Sequence, residues 1–216
     1  MTQHQDQRPE SDDQTSADHW LDPDILRPHV QGRSILVCIS GGIAVYKVCT
    51  IVSRLAQSGA QVTVAMTPAA TKFVTPITFQ ALSGNPVYTS SWEHIESKDP
   101  QHISLADRCD LALVAPCTMD MLAKLVHGRT DDVVSLILSA INRSETPVMI
   151  APAMNDQMWN QASNLRNVAL AEQDGFRQIG PGHGWQACRH RGTGRMSEPG
   201  EICRSICGVL DGSDTH

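Results

Sequence analysis

A chain of 216 residues, 41% of them hydrophobic, is long enough for one domain that buries roughly 70% of the surface its unfolded form exposes, so neither disulfides nor a structural metal is needed to hold it. Its 17 basic residues stand against 23 acidic ones, a formal net charge of −6 with no basic run, which argues against a nucleic-acid footprint, and apolar runs of about six residues fall far short of the ~20 a membrane span requires. Seven cysteines scattered singly at 38, 49, 109, 117, 188, 203 and 207 give neither a C-x-x-C pair nor a secreted framework, so a reducing cytoplasm is the expected setting.

Residues 1–32 are rich in Gln, Asp, Ser, Thr and Pro. They hold too little apolar surface to offset the entropy of ordering, and read as a disordered N-terminal tail without an export signal. Residues 33–210 form the expected domain. ILVCIS (35–40) is a β-branched run ending at Gly41-Gly42, and from Ile43 to Leu55 apolar residues recur at helical spacing up to Ser58-Gly59. QVTVAM (61–66) predicts a second strand, residues 76–82 a short helix, and 87–89 a third strand. LALVAP (111–116) follows, then helices over 119–126 and 131–140, the latter with Asp131 and Asp132 at its positive end. A strand over 147–151, one helix over 157–174, a strand over 177–180 and a helix over 198–210 complete the chain. Strands that alternate with helices and read as continuous apolar runs predict an α/β fold with a doubly wound, flavodoxin- or Rossmann-like parallel sheet, helices on both faces, and a site at the carboxyl ends of the strands.

Ser40-Gly41-Gly42-Ile43 lies at the first strand-to-helix turn, where bare N–H groups and a helix N-terminus can hold a phosphate; a Gly pair can equally just make a tight turn. G-x-G-x-x-G is missing, as is an acidic residue ~20 positions on, which disfavours NAD and NADP. His102 opens HISLADRCD, and Cys188 lies in the glycine-rich stretch GWQACRHRGTGRM, expected to be a flexible, poorly packed loop. His183, Cys188 and His190 lack a second pair at ligand spacing, so no metal is expected. Lys47, Arg189 and Arg191 can be read as phosphate partners or as solvated surface charges, and Met154, Met158 and Trp159 as packing residues.

Taken together, SGGIAVYK, MTPAATKFVTPITFQALSG, HISLADRCDLALVAP, APAMNDQMW and ACRHRGTGRMSEP closely resemble the flavin-dependent cysteine decarboxylases. Within that family the resemblance is greatest to the branch that acts on 4'-phospho-N-pantothenoyl-cysteine in coenzyme A biosynthesis. It runs from about residue 33 to 202. It implies FMN bound between subunits of a homotrimer, with the substrate first oxidised and then reduced on one flavin. It places the base at His102, the amide that holds the substrate carboxylate at Asn155, and the late proton donor at Cys188. Flavin contacts fall on Gly41, Gly42, Thr67, Phe73, Ala115, Pro116, Cys117 and Thr118, and Met154 and Ala187 join Asn155 and Cys188 around the substrate. Cys117 and Met119 replace small residues of the family, and Arg189 stands where a Gly usually follows the Cys.

The chemistry explains the residue types. Direct loss of CO2 from an acylated cysteine leaves an undelocalised carbanion, so an electron sink is needed. Oxidation at Cβ gives a thioaldehyde, and its C=S, β to the carboxylate, makes CO2 a good leaving group. A histidine suits the thiol proton. Asn155 can donate to the carboxylate without the tight ion pair that would stabilise the ground state. Cys188 favours complete reduction over the peptidyl-cysteine decarboxylases, which stop at the enethiol; a non-catalytic flavin-binding regulator is the other alternative. Since the chain ends at His216, the ligase that makes the substrate is expected to be a separate protein.

Overall fold

The computed structural model describes residues 18–92 and 100–212. Its central sheet is built from β1 (Ser34–Ile39), β2 (Gln61–Met66), β3 (Val87–Tyr88), β4 (Leu111–Cys117), β5 (Val148–Pro152) and β6 (Arg177–Gln178). They run parallel in the order β3-β2-β1-β4-β5-β6. The helices are α1 (Pro23–Val30), α2 (Val45–Gln57), α3 (Pro76–Ser83), α4 (Gln101–Asp107), α5 (Met119–Val126), α6 (Val133–Ala140), α7 (Asp156–Trp159), α8 (Ala162–Gln173) and α9 (Pro199–Leu210).

Alternation along each strand divides the interior in two. Ile35, Val37 and Ile39 of β1, with Leu111, Leu113 and Ala115 of β4, pack beneath α1, α2 and α9. Leu36 and Cys38, with Ala112, Val114 and Cys117, pack beneath α5 and α6. Both faces are therefore buried, and this is why the strands read as unbroken apolar runs. Each fully buried Val, Leu or Ile stabilises the fold by about 1.5–3 kcal/mol relative to leaving it exposed. The strand order reverses between β1 and β4, which opens a crevice at their carboxyl ends.

Several expectations change. The tail read as 1–32 ends too late, because residues 23–30 form α1, capped by the Asp22 side chain and anchored by the fully buried Leu26 and Val30; residues 1–17 lie outside the described residues. The single helix expected over 157–174 is two. Asn160 and Asn164 donate their side-chain amides to the carbonyls of Asp156 and Trp159, and these bonds compete with continuation of α7. Residues around His102, to which the sequence assigned no element, form α4. The glycine-rich stretch is no loose loop but an antiparallel hairpin, β7 (Gly182–Trp185) with β8 (Arg191–Arg195).

Candidate active site

A cavity of about 1110 Å³ opens where β1, β2, β4 and β5 end, roofed by the β7–β8 hairpin. Its floor is set by the β1–α2 turn. A Cβ on Gly41 would lie 2.4 Å from the Ala69 Cβ and 2.8 Å from the Ala69 carbonyl carbon, so only glycine allows the two turns to approach. The backbone N–H groups of Gly41, Gly42, Ile43 and Ala44 donate to no other group among the described residues, and Ala44 caps α2 without a side-chain bond. Four bare donors beside the positive end of a 13-residue helix form an anion cradle.

Neighbouring turns are fixed to that cradle by hydroxyls. Buried Ser40 donates to the Pro116 carbonyl at 2.6 Å and accepts from the Thr118 N–H at 3.1 Å, which fastens the end of β1 to the start of α5. Thr118 accepts in turn from the Met121 N–H, and Thr67, also buried, accepts from the Ala70 N–H at 3.2 Å. Ser40 lines the cavity together with its glycine neighbours.

Asn155 and Cys188 face the same cavity. Asn155 caps α7, its Oδ1 accepting from the Met158 N–H at 2.8 Å. This bond assigns the flip of the amide and leaves Nδ2 as the donor open to a ligand. Cys188 is exposed at the hairpin tip, its Sγ 3.5 Å from Gln186 Oε1. The hairpin is seated on the Asn155 segment by three bonds: Thr193 N–H to Asp156 Oδ1 at 2.9 Å, Asp156 N–H to Gln186 Oε1 at 3.1 Å, and Met154 N–H to the Gly194 carbonyl at 2.9 Å. Glycine is required for this seat. A Cβ on Gly192 would fall 2.5 Å from the Asp156 Cβ, and one on Gly194, at φ +118°, would fall 2.5 Å from the Met154 carbonyl oxygen.

Of the residues read from sequence, Gly41, Gly42, Thr67, Thr118, Met154, Asn155, Ala187 and Cys188 line one cavity. Pro116 lies beneath Gly42. Ala115 and Cys117 turn their side chains into the two cores, where burial pushes the Cys117 thiol up to about 12. Phe73 stands on the surface, 49% exposed, and half-buried His102 sits in the first turn of α4; neither lines the cavity of its own chain. Lys47 lines the cavity but is not a solvated surface charge. It is buried, donates to Glu198 Oε1 at 3.0 Å, and its pKa is lowered by burial. Arg195 pairs with the same carboxylate, whereas Arg189 and Arg191 are exposed. No three His, Cys, Asp or Glu side chains among the described residues are grouped to hold a metal.

A doubly wound sheet with a phosphate cradle at its switch point defines a mononucleotide-binding α/β protein. The chain belongs to the Flavoprotein family, whose profile matches residues 25–211. It is 43% identical over 175 residues to the coenzyme A biosynthesis bifunctional protein CoaBC of Bacillus subtilis, covering 81% of this chain and 42% of the relative. With the protein of the same name from Escherichia coli it shares 41% over 168 residues, 78% of this chain and 41% of the relative. The chain thus spans about two fifths of the length of these relatives. Among solved structures, a PPC decarboxylase mutant complexed with pantothenoylaminoethenethiol superposes with a TM-score of 0.75 at 25% identity, over 84% of this chain and 100% of the other. The FMN binding protein AtHal3 superposes at 0.72 with 26% identity, over 86% and 100%. No helix among the described residues is long and apolar enough to cross a membrane.

Proposed function

We propose that this cavity binds FMN and that the protein uses it to decarboxylate 4'-phospho-N-pantothenoyl-cysteine, giving 4'-phosphopantetheine and carbon dioxide in coenzyme A biosynthesis in the cytoplasm. The observation that carries this reading is one cavity holding Asn155 and Cys188 beside the bare Gly41–Ala44 donors. The cradle fits the FMN phosphate, and Thr67, Ala69, Thr118 and Met154 would border the ring system. When bound, FMN supplies the two-electron sink that an acylated cysteine lacks. Asn155 Nδ2 would hold the substrate carboxylate by a neutral bond, which keeps the leaving CO2 from being trapped as an ion pair. The Cys188 thiol would deliver the proton that completes the saturated aminoethanethiol, so this reading is favoured over an oxidative decarboxylation that stops at the enethiol.

The thiol proton of the substrate needs a base, and His102 is the histidine the resemblance implies. Since it lies outside its own chain's cavity, we place it in the cavity of a neighbouring copy within a homotrimer. Exposed Ile43 and Tyr46 at the cavity rim, with exposed Phe73 and Ile77 shortly after the cavity-lining Thr67–Ala69 stretch, supply the apolar surface that such an interface would cover. A ligase that attaches cysteine to phosphopantothenate would supply the substrate. The test is direct: purified protein should be yellow, and incubation with the phosphorylated cysteine conjugate should remove CO2 alone. Loss of CO2 together with two hydrogens would identify an oxidative enzyme, and a colourless protein that cannot be reconstituted with FMN would rule out both.

A further inference from the structure

The hairpin carries a buried amide that the proposed reaction leaves without a role. Gln186 is 7% exposed although it stands two residues from the exposed Cys188. Its Nε2 donates to the Thr193 carbonyl at 3.0 Å, and its Oε1 accepts from the Asp156 N–H at 3.1 Å. The same oxygen lies 3.5 Å from Cys188 Sγ, a normal separation for a thiol donating to a carbonyl. Its backbone closes the tip as well, accepting from the Arg189 N–H and donating to the His190 carbonyl, each at 2.9 Å. One side chain therefore bonds to the residue after Asn155, to β8 of the hairpin and to the cysteine at its tip.

We infer that Gln186 is a positioning residue that holds the Cys188 thiol at a fixed place relative to Asn155. The amide oxygen accepts from S–H, so the contact fixes where Sγ stands at the hairpin tip. Because that oxygen also binds the Asp156 N–H, a shift of the substrate-binding segment is passed to the thiol. This rests on the decarboxylase reading for its consequence, but the contact itself does not.

Two measurements separate these. Alkylation of Cys188 by iodoacetamide, followed by peptide mass spectrometry, requires no turnover. Gln186→Leu should raise its rate about fivefold to tenfold, the factor expected on loss of one hydrogen bond, without changing Cys49; an unchanged rate overturns the inference whatever the enzyme does. In a single turnover of FMN-loaded protein, Gln186→Leu should release CO2 yet shift the product toward the enethiol, two hydrogens short, with those two electrons left on the enzyme. An equal loss of CO2 and saturated product would show a merely structural role. Gln186→Glu, whose buried carboxyl is held neutral by desolvation, can still donate to the Thr193 carbonyl while keeping an acceptor facing Sγ, and should preserve the parent product ratio; should the Leu variant fail to fold, a Glu variant that yields enethiol as Cys188→Ser does overturns the inference alone. If the parent protein releases no CO2, the decarboxylase reading fails while the alkylation result still decides the contact.

Discussion

Arg189 holds a backbone conformation its side chain does not favour. It is the non-glycine residue with positive φ, 64°, among the described residues, where an L side chain meets its own carbonyl. Sequence comparison with the family pattern marked this position as a departure from glycine, and the structure supplies the reason glycine is usual there. Arg189→Gly should stabilise the fold by about 0.5–1 kcal/mol, the relief of left-handed strain less the added freedom of the unfolded chain; urea unfolding of the two proteins measures it. Gly41 is the opposite case. Gly41→Ala would force the Ala69 turn away from the cradle, so we expect about 1–3 kcal/mol of destabilisation and loss of yellow colour on gel filtration. Single residues were legible wherever a motif named them, as with Asn155 and Cys188. Gln186 was not, because a buried amide leaves no periodic trace and its value lies in a partner distant in sequence, Asp156; the bonds of Ser40 to Pro116 and Thr118 escaped for the same reason.

At the scale of elements, the strands were the clearest part of the sequence. β2 and α5 fall on their expected bounds, since Val62, Val64 and Met66 give β2 a fully buried apolar face and Thr118 opens α5 as a good N-cap. The hairpin and α4 escaped because nothing in their local pattern alternates cleanly: burial along β7 alternates over Gly and His rather than over hydrophobic residues. Glycine there serves close approach to α7, and composition alone reads it as looseness. Elements are also tied by charge. Lys124 on α5 meets Asp132, the N-cap of α6, at 2.9 Å, Asp131 at 3.0 Å and Asp120 at 3.4 Å. Burial works to lower its pKa, but the bonds to Asp132 and Asp131 and the carboxylate charges outweigh it and raise the pKa above the usual 10.5. A lysine with a raised folded pKa binds its proton more tightly in the native state, so its contribution is fully present below 10.5 and is lost as pH climbs beyond it. Lys124→Met should cost about 1–2 kcal/mol near neutral pH, and the gap between parent and variant should narrow as pH passes 10.5 in a series of urea titrations. Lys47, with its pKa lowered by burial, runs the other way over the same range in both proteins and leaves that difference untouched.

For the whole molecule, the apolar runs and their spacing were enough to give the doubly wound sheet and the position of its site. The assembly was not legible in the same sense, because a strand's burial pattern says that a face is covered and not by which chain. His102 and Phe73 mark that limit: both belong to the proposed site by resemblance, yet neither reaches the cavity of its own chain. If a neighbour supplies His102, a preparation of His102→Asn and a preparation of Cys188→Ser, each unable to complete the reaction, should regain saturated product when unfolded and refolded together. A mixture no more active than its parts would place base and proton donor in one chain and remove the trimeric site from the proposal.

The seating of Gly192 and Gly194 against Asp156 and Met154 makes residues 182–195 and 153–156 a single rigid piece assembled from two distant parts of the chain. Transplanting the ribbon from a relative with a different substrate would therefore bring along the wrong counterpart surface, and only chimeras that exchange both stretches together should keep a working clamp. Selectivity in such a scaffold has to change in matched pairs.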